Sequence, residues 1–241
     1  MNNNFTDIKE NIEKVFEPFG QLLQQLKSFL EQNPEFLYNL KRYLENWPQF
    51  HKDDWIEIAS YGWFINWSTP VTIEKALSMG RDVLDSFMTK HLTDHWNEIT
   101  QKIIDLYPER KHILLESFKL HKDGNYIACI PLFMSQIDGI CAQNLGSFLF
   151  SEHQRRQEEI QQLVNQSDND LLNAFLEVLN SKTQFGASIS SSSQAKKTIA
   201  PNRNGVLHGS RKHLDYGTKI NSLKAFSLLA FIVYCFDDSS A

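Results

Sequence analysis

Apolar positions recur at helical spacing along nearly the whole chain. Within residues 5–47, Val15, Phe16, Phe19, Leu22, Leu23, Leu26, Phe29 and Leu30 follow one another at steps of three and four and so share one helix face. Pro18 kinks or restarts that helix, since its ring removes a backbone donor and crowds the preceding turn. Asn33-Pro34 punctuates the pattern, and Phe36, Leu37, Leu40 and Leu44 carry it into a second helix. Pro48 and Pro70 punctuate this half further without setting a firm boundary. The stretch Tyr61-Gly62-Trp63-Phe64-Ile65-Asn66-Trp67, ending in Ser68-Thr69-Pro70, reads as a helix end and a packed loop.

Helices are expected over 72–90 and 93–107, with Pro108 as the stop, and over 109–121, where Lys122-Asp123-Gly124-Asn125 makes a turn. Residues 126–150 are apolar nearly all round, the signature of a helix at the centre of a bundle. Residues 151–166 turn polar, and a short helix over 171–179 follows. Residues 188–193 form a serine-rich tract that can bury little, read as a mobile loop. In the last helix, 219–236, Leu223, Phe226, Leu229, Ala230 and Val233 mark an apolar face. No alternating strand run with a hairpin signal occurs, so the expected class is all-α.

Composition narrows the partners. The 241 residues carry a net charge of −5, which argues against a protein that coats nucleic acid over its whole surface. Any such contact has to be local. Between 194 and 224 the balance reverses, since Lys196, Lys197, Arg203, Arg211, Lys212, Lys219 and Lys224 face only Asp215; this is either a solvated basic segment or a binding surface. Cys129, Cys141 and Cys235 are widely spaced in apolar surroundings and read as buried thiols in a reducing compartment. The opening MNNNFTDIKENIEK has no basic-then-apolar leader, and the longest apolar run, 226–236, is too short to span a bilayer. The expectation is a cytoplasmic protein with no membrane contact.

Chemistry concentrates in Asn202-Arg203-Asn204-Gly205-Val206-Leu207-His208-Gly209. A guanidinium can hold a phosphate while an imidazole near neutral pKa moves a proton. In a regular helix positions five apart diverge by roughly 140°, so Arg203 and His208 can converge only at a helix end or turn. Pro201 suits a first helical turn and Gly209 a position just past a helix end, which predicts one short turn of helix with Val206 and Leu207 inward and Arg203, Asn204 and His208 near solvent. Gln136 and Asp138 lie in the apolar 126–150 helix, and a carboxylate there needs a partner. Asp138 either makes a structural bond or, with Gln136, orients Arg203 or His208. His91 and His95, four apart, could share a helix face as metal ligands, but no third ligand is evident and a surface pair is the plainer reading, so no metal is expected. The aromatic run at 61–67 lacks neighbouring Lys or Arg in sequence and reads as a core or interface plug, not a base-stacking platform.

The Arg203-Asn204-x-x-x-His208 stretch, on a helical bundle and followed by a long apolar helix, resembles the RX4-6H motif of the HEPN superfamily, including its preference for a polar residue directly after the arginine. Tyr126, Pro131, Gln136-Ile137-Asp138-Gly139 and Asp215-Tyr216-Gly217 extend the likeness to uncharacterised bacterial proteins, over the C-terminal half. The resemblance implies an up-and-down helical bundle over 108–241, with an additional helical region over 1–107, that dimerises with two motifs facing each other. It also implies a metal-independent, cofactor-free endoribonuclease in a toxin–antitoxin or anti-phage setting, or a related module that has lost catalysis and binds a partner or nucleotide. In the first case RNA is the substrate, His208 transfers the proton, Arg203 holds the phosphate, and Asn204 and Asp138 position them. Lys196, Lys197, Arg211 and Lys212 would bind the strand, with an antitoxin or defence protein as further partner.

Overall fold

The computed structural model describes residues 27–29, 32–150, 153–166, 170–181, 183–189 and 199–237. The protein is all-α, a helical bundle. Its helices are α1 (Pro34–Ser60), α2 (Ile73–Ser78), α3 (Arg81–Asp94), α4 (Trp96–Leu106), α5 (Lys111–Lys122), α6 (Tyr126–Leu145), α7 (His153–Gln166), α8 (Asp170–Asn180), α9 (Arg203–Leu207) and α10 (Lys219–Cys235), with 3₁₀ turns at Pro108–Arg110 and Arg211–His213. No strand occurs among the described residues. The chain divides into two compact units, Met1–Trp47 and Pro48–Ala241. In the first, the Phe29 and Phe36 rings meet edge to face at 5.4 Å. The second carries the motif, and within it α10 packs on α3, α4 and α6, so residues 81–106 share a body with the C-terminal helices.

Two boundaries differ from those the pattern suggests. Pro48 lies inside α1. The single helix expected over 72–90 is broken into α2 and α3 by Gly80, whose φ of 99° is open to glycine and costly for other residues. The helix expected through Val15 to Leu26, the kink at Pro18 and residues 190–193 of the serine tract lie outside the described residues.

The core is built on α6 and α10, which pack against each other. The lone face expected for α10 understates it: every residue from Asn221 to Val233 is buried. Its polar side chains are tolerated because each has a partner. Ser227 Oγ donates to Lys224 O at 2.8 Å and accepts from Phe64 N–H at 3.3 Å. Lys224, 1% exposed, donates to Tyr61 O at 2.8 Å and Ile199 O at 2.6 Å and pairs with Asp85 Oδ1 at 3.1 Å. Burial pushes its pKa down to about 8 against the pull of Asp85, so it is still an ammonium at neutral pH.

The aromatic run is a core plug. Trp63, Phe64 and Ile65 are buried. Trp63 donates Nε1–H to Asp85 at 2.6 Å, and Phe64 meets Phe185 and Phe231. The cations absent from the neighbouring sequence arrive from elsewhere, Lys224 over Trp63 and Lys102 over Trp67. All three cysteines are buried and free. Among the described residues no helix is long and apolar enough to cross a membrane.

Candidate functional site

The helical turn begins two residues past Pro201, which lies outside it. α9 starts at Arg203 with Asn202 as its N-cap, whose Oδ1 accepts the Gly205 N–H at 2.7 Å. The Asn202 amide also donates to Gln184 O at 3.1 Å and Ala187 O at 2.7 Å, and Arg203 N–H donates to Phe185 O at 2.9 Å. One 1%-exposed asparagine thus fastens the turn to residues 184–187. Gly205 lies against the buried His213, and a Cβ there would collide with the imidazole. Gly209 closes the turn at φ 60°. Val206 is buried as expected, whereas Leu207 is 41% exposed. With Asn202, Gly205 and Val206 filling the inward side of so short a helix, the next residue, about 100° further round, faces out.

Arg203 and Asp138 come together. Nη2 lies 2.9 Å from Asp138 Oδ2, Nη1 donates to Asn204 Oδ1 at 3.1 Å, and the guanidinium stands 5.7 Å from the Phe150 ring centre. Asp138 Oδ1 accepts the Phe150 N–H at 3.2 Å. Burial raises the Asp138 pKa, opposed by the Phe150 N–H and the Arg203 charge. Arg203 Nε is buried with no hydrogen-bond partner among the described residues. Gln136 is not part of this group. It accepts from Arg110 Nη1 at 3.2 Å, and Arg110 also reaches Gln143 at 3.1 Å, crossing Gly139 where a Cβ would obstruct it.

His208 is the C-cap of α9 and is exposed. No hydrogen bond or ring contact links it to Arg203 among the described residues. The two side chains leave the turn differently, one toward α6 and one into solvent. Arg211 and Lys212 are exposed just beyond, where Ser210 Oγ accepts the Lys212 N–H. Lys196 and Lys197 lie outside the described residues. Lys224 leaves the basic surface altogether, since it is a core residue.

His91 and His95 are not the surface pair the sequence suggests. His91 is 7% exposed, its Nε2 bonds Ser68 Oγ at 3.1 Å, and His95 Nδ1 bonds the His91 carbonyl at 3.0 Å, so both rings have structural duties. Burial, then the neighbouring His95, lowers the His91 pKa to about 4. A grouping that the sequence reading missed is His51, Asp54 and Glu74, whose ligand atoms lie within 4.8 Å of one another. In it His51 Nδ1 is bonded to Glu74. Asn202, Gly205 and Phe150 were also missed. Only the asparagine carried a sequence signal, as a cap residue directly before a helical turn.

Comparison with protein-family models, curated proteins and solved structures finds no match to this chain.

Proposed function

We propose that this protein is a HEPN-type endoribonuclease that cleaves RNA by attack of a 2′-OH on the adjacent phosphate without needing a metal ion. The observation that carries the reading is the Asp138–Arg203 pair at 2.9 Å, in which a buried carboxylate on α6 fixes the guanidinium of a capped, one-turn helix. A guanidinium held in that way loses little freedom on meeting a phosphate, and its remaining N–H groups strengthen their contact as charge builds on the phosphoryl oxygens. His208 is open to solvent and supplies proton transfer. Since Arg203 and His208 do not meet within one chain, a homodimer apposing two motifs would combine the arginine of one with the histidine of the other. Arg211 and Lys212 would steer the strand. The acidic remainder restricts binding to that groove, and a toxin–antitoxin or anti-phage setting fits such a selective nuclease.

One observation favours a second reading. Both Nη atoms of Arg203 already have partners in Asp138 and Asn204, as they would in a non-catalytic module where the pair builds a binding or dimer surface. Replacing the ribose at a mapped cleavage position by 2′-deoxyribose separates the two. The nuclease reading expects cutting at that position to stop while neighbouring sites persist, and continued cutting there would defeat the mechanism.

A further inference from the structure

A second polar constellation lies at the opposite end of α6. Tyr126 opens that helix twelve residues before Asp138, about 18 Å along the axis at 1.5 Å per residue. A cavity of about 350 Å³ opens there between α4, α5, α6 and α10, lined by Trp96, Asn97, His121, Lys122, Tyr126 and Lys219 among others. No carboxylate lines it among the described residues. Lys122 Nζ donates to the Asn97 side-chain oxygen at 3.0 Å, a neutral partner that leaves the ammonium charge uncompensated. Lys219 is the exposed first residue of α10, and α6 starts with no side-chain cap on its first turn, so two helix N-termini add partial positive charge.

The floor of the cavity points independently to a ligand. His121 is only 8% exposed. Its Nδ1 lies 2.7 Å from Ser222 Oγ, which in turn lies 3.0 Å from Cys129 Sγ, and its ring stacks on Trp96 at 4.3 Å. The ring is therefore fixed in position and angle. Its other nitrogen, Nε2, has no hydrogen-bond partner among the described residues. In the tautomer in which Ser222 donates to Nδ1, Nε2 carries the hydrogen of the neutral ring and offers a donor to the cavity. Both faces of Trp96 are occupied, by His121 and by Phe226 at 4.1 Å, so the site is not built to stack a flat ring there.

We propose that this cavity binds a small phosphate monoester, with the phosphoryl group between Lys122, Lys219 and His121 Nε2 and its compact organic body along Tyr126. Two ammonium groups match the charge of about −1.5 to −2 that a phosphate monoester carries at neutral pH, whereas a monocarboxylate would leave one of them unbalanced. The volume is at the small end of small-molecule sites and exceeds what a bare phosphate ion fills. The inference is independent of the nuclease reading.

The test is calorimetric titration of the full chain with ribose 5-phosphate, inorganic phosphate and ribose, alongside Lys122→Gln, Lys219→Gln and the distant control Lys111→Gln. All three lysines are exposed, so the variants keep the fold, verified by their melting curves. The expected result is saturable binding of ribose 5-phosphate, none of ribose, a roughly tenfold rise in Kd in each of the first two variants, and no change in the control. A shift of the His121 ring resonances at saturation places the ligand. Inorganic phosphate binding as tightly as the ester would overturn the assignment of an organic body along Tyr126; weaker binding by the free ion is the expected result. Failure of ribose 5-phosphate to saturate, equal binding of ribose, or indifference to both lysine substitutions would overturn the proposal.

Discussion

Replacing Lys224 by methionine should be the most damaging conservative-length change in the core. The ammonium is 1% exposed and serves the Tyr61 and Ile199 carbonyls and the Asp85 carboxylate at once. A methionine side chain would fill the space of the stem but donate nothing. Two half-buried carbonyls would lose this donor, at about 1–3 kcal/mol each. Asp85 would keep Trp63 Nε1 at 2.6 Å and Arg81 at 3.6 Å and is partly open to water, so its share is smaller. The two carbonyls together come to about 2–6 kcal/mol, which brackets the roughly 3–5 kcal/mol that removal of one partner from a buried ion pair costs. For a unit of about 190 residues that corresponds to a fall in Tm of roughly 6–20 °C. Urea unfolding and calorimetry of Lys224→Met against Lys212→Met, an exposed control, measure it. A loss below about 1 kcal/mol would mean that the three contacts do not hold the aromatic plug and the approach to α9 together, and the reasoning would fall.

Other consequences are equally specific. Gly205→Ala drives a methyl into the His213 ring and should cost about 1–3 kcal/mol in chemical denaturation; a neutral result would contradict the close packing of the turn. Asn202→Ala removes a helix cap and two bonds to the 184–187 segment and should destabilise by about 1–3 kcal/mol, seen also as faster amide exchange at Gly205. His91 and His121 have pKa values lowered to about 4 in the fold against 6.5 when free, so the unfolded chain binds more protons between those values. Their contribution is complete above pH 6.5 and is lost as pH falls toward 4. Urea midpoints should drop across that window and drop less in His91→Gln, whereas a flat profile would refute the assignment.

The legible parts of this molecule are those governed by one helix at a time. The nearly unbroken apolar stretch of α6 announced a central helix, and a single carboxylate within it announced a need for a partner, which proved to be Arg203. α10 was harder to read, because Ser222, Lys224 and Ser227 look like surface positions until His121, Tyr61, Ile199 and Phe64 are brought alongside them. The same holds for the motif. Its turn was visible from Pro201 and Gly209, but the carbonyls that anchor Asn202 and the imidazole that requires Gly205 come from other segments. Lys122 and Tyr126 are near neighbours in sequence, yet the cavity they share exists only because Trp96 and Lys219 arrive from α4 and α10.

The central claim is that Arg203, held by Asp138, and the open His208 cleave RNA. Its most direct measurement is end-group analysis of a mixed RNA pool treated, in the presence of a chelator, with the intact chain, Arg203→Ala and His208→Ala at matched folding. The account predicts 2′,3′-cyclic phosphate ends from the intact protein and none from either variant. A folded, dimeric protein that leaves the pool whole, or variants that cut as well as the intact chain, would contradict it.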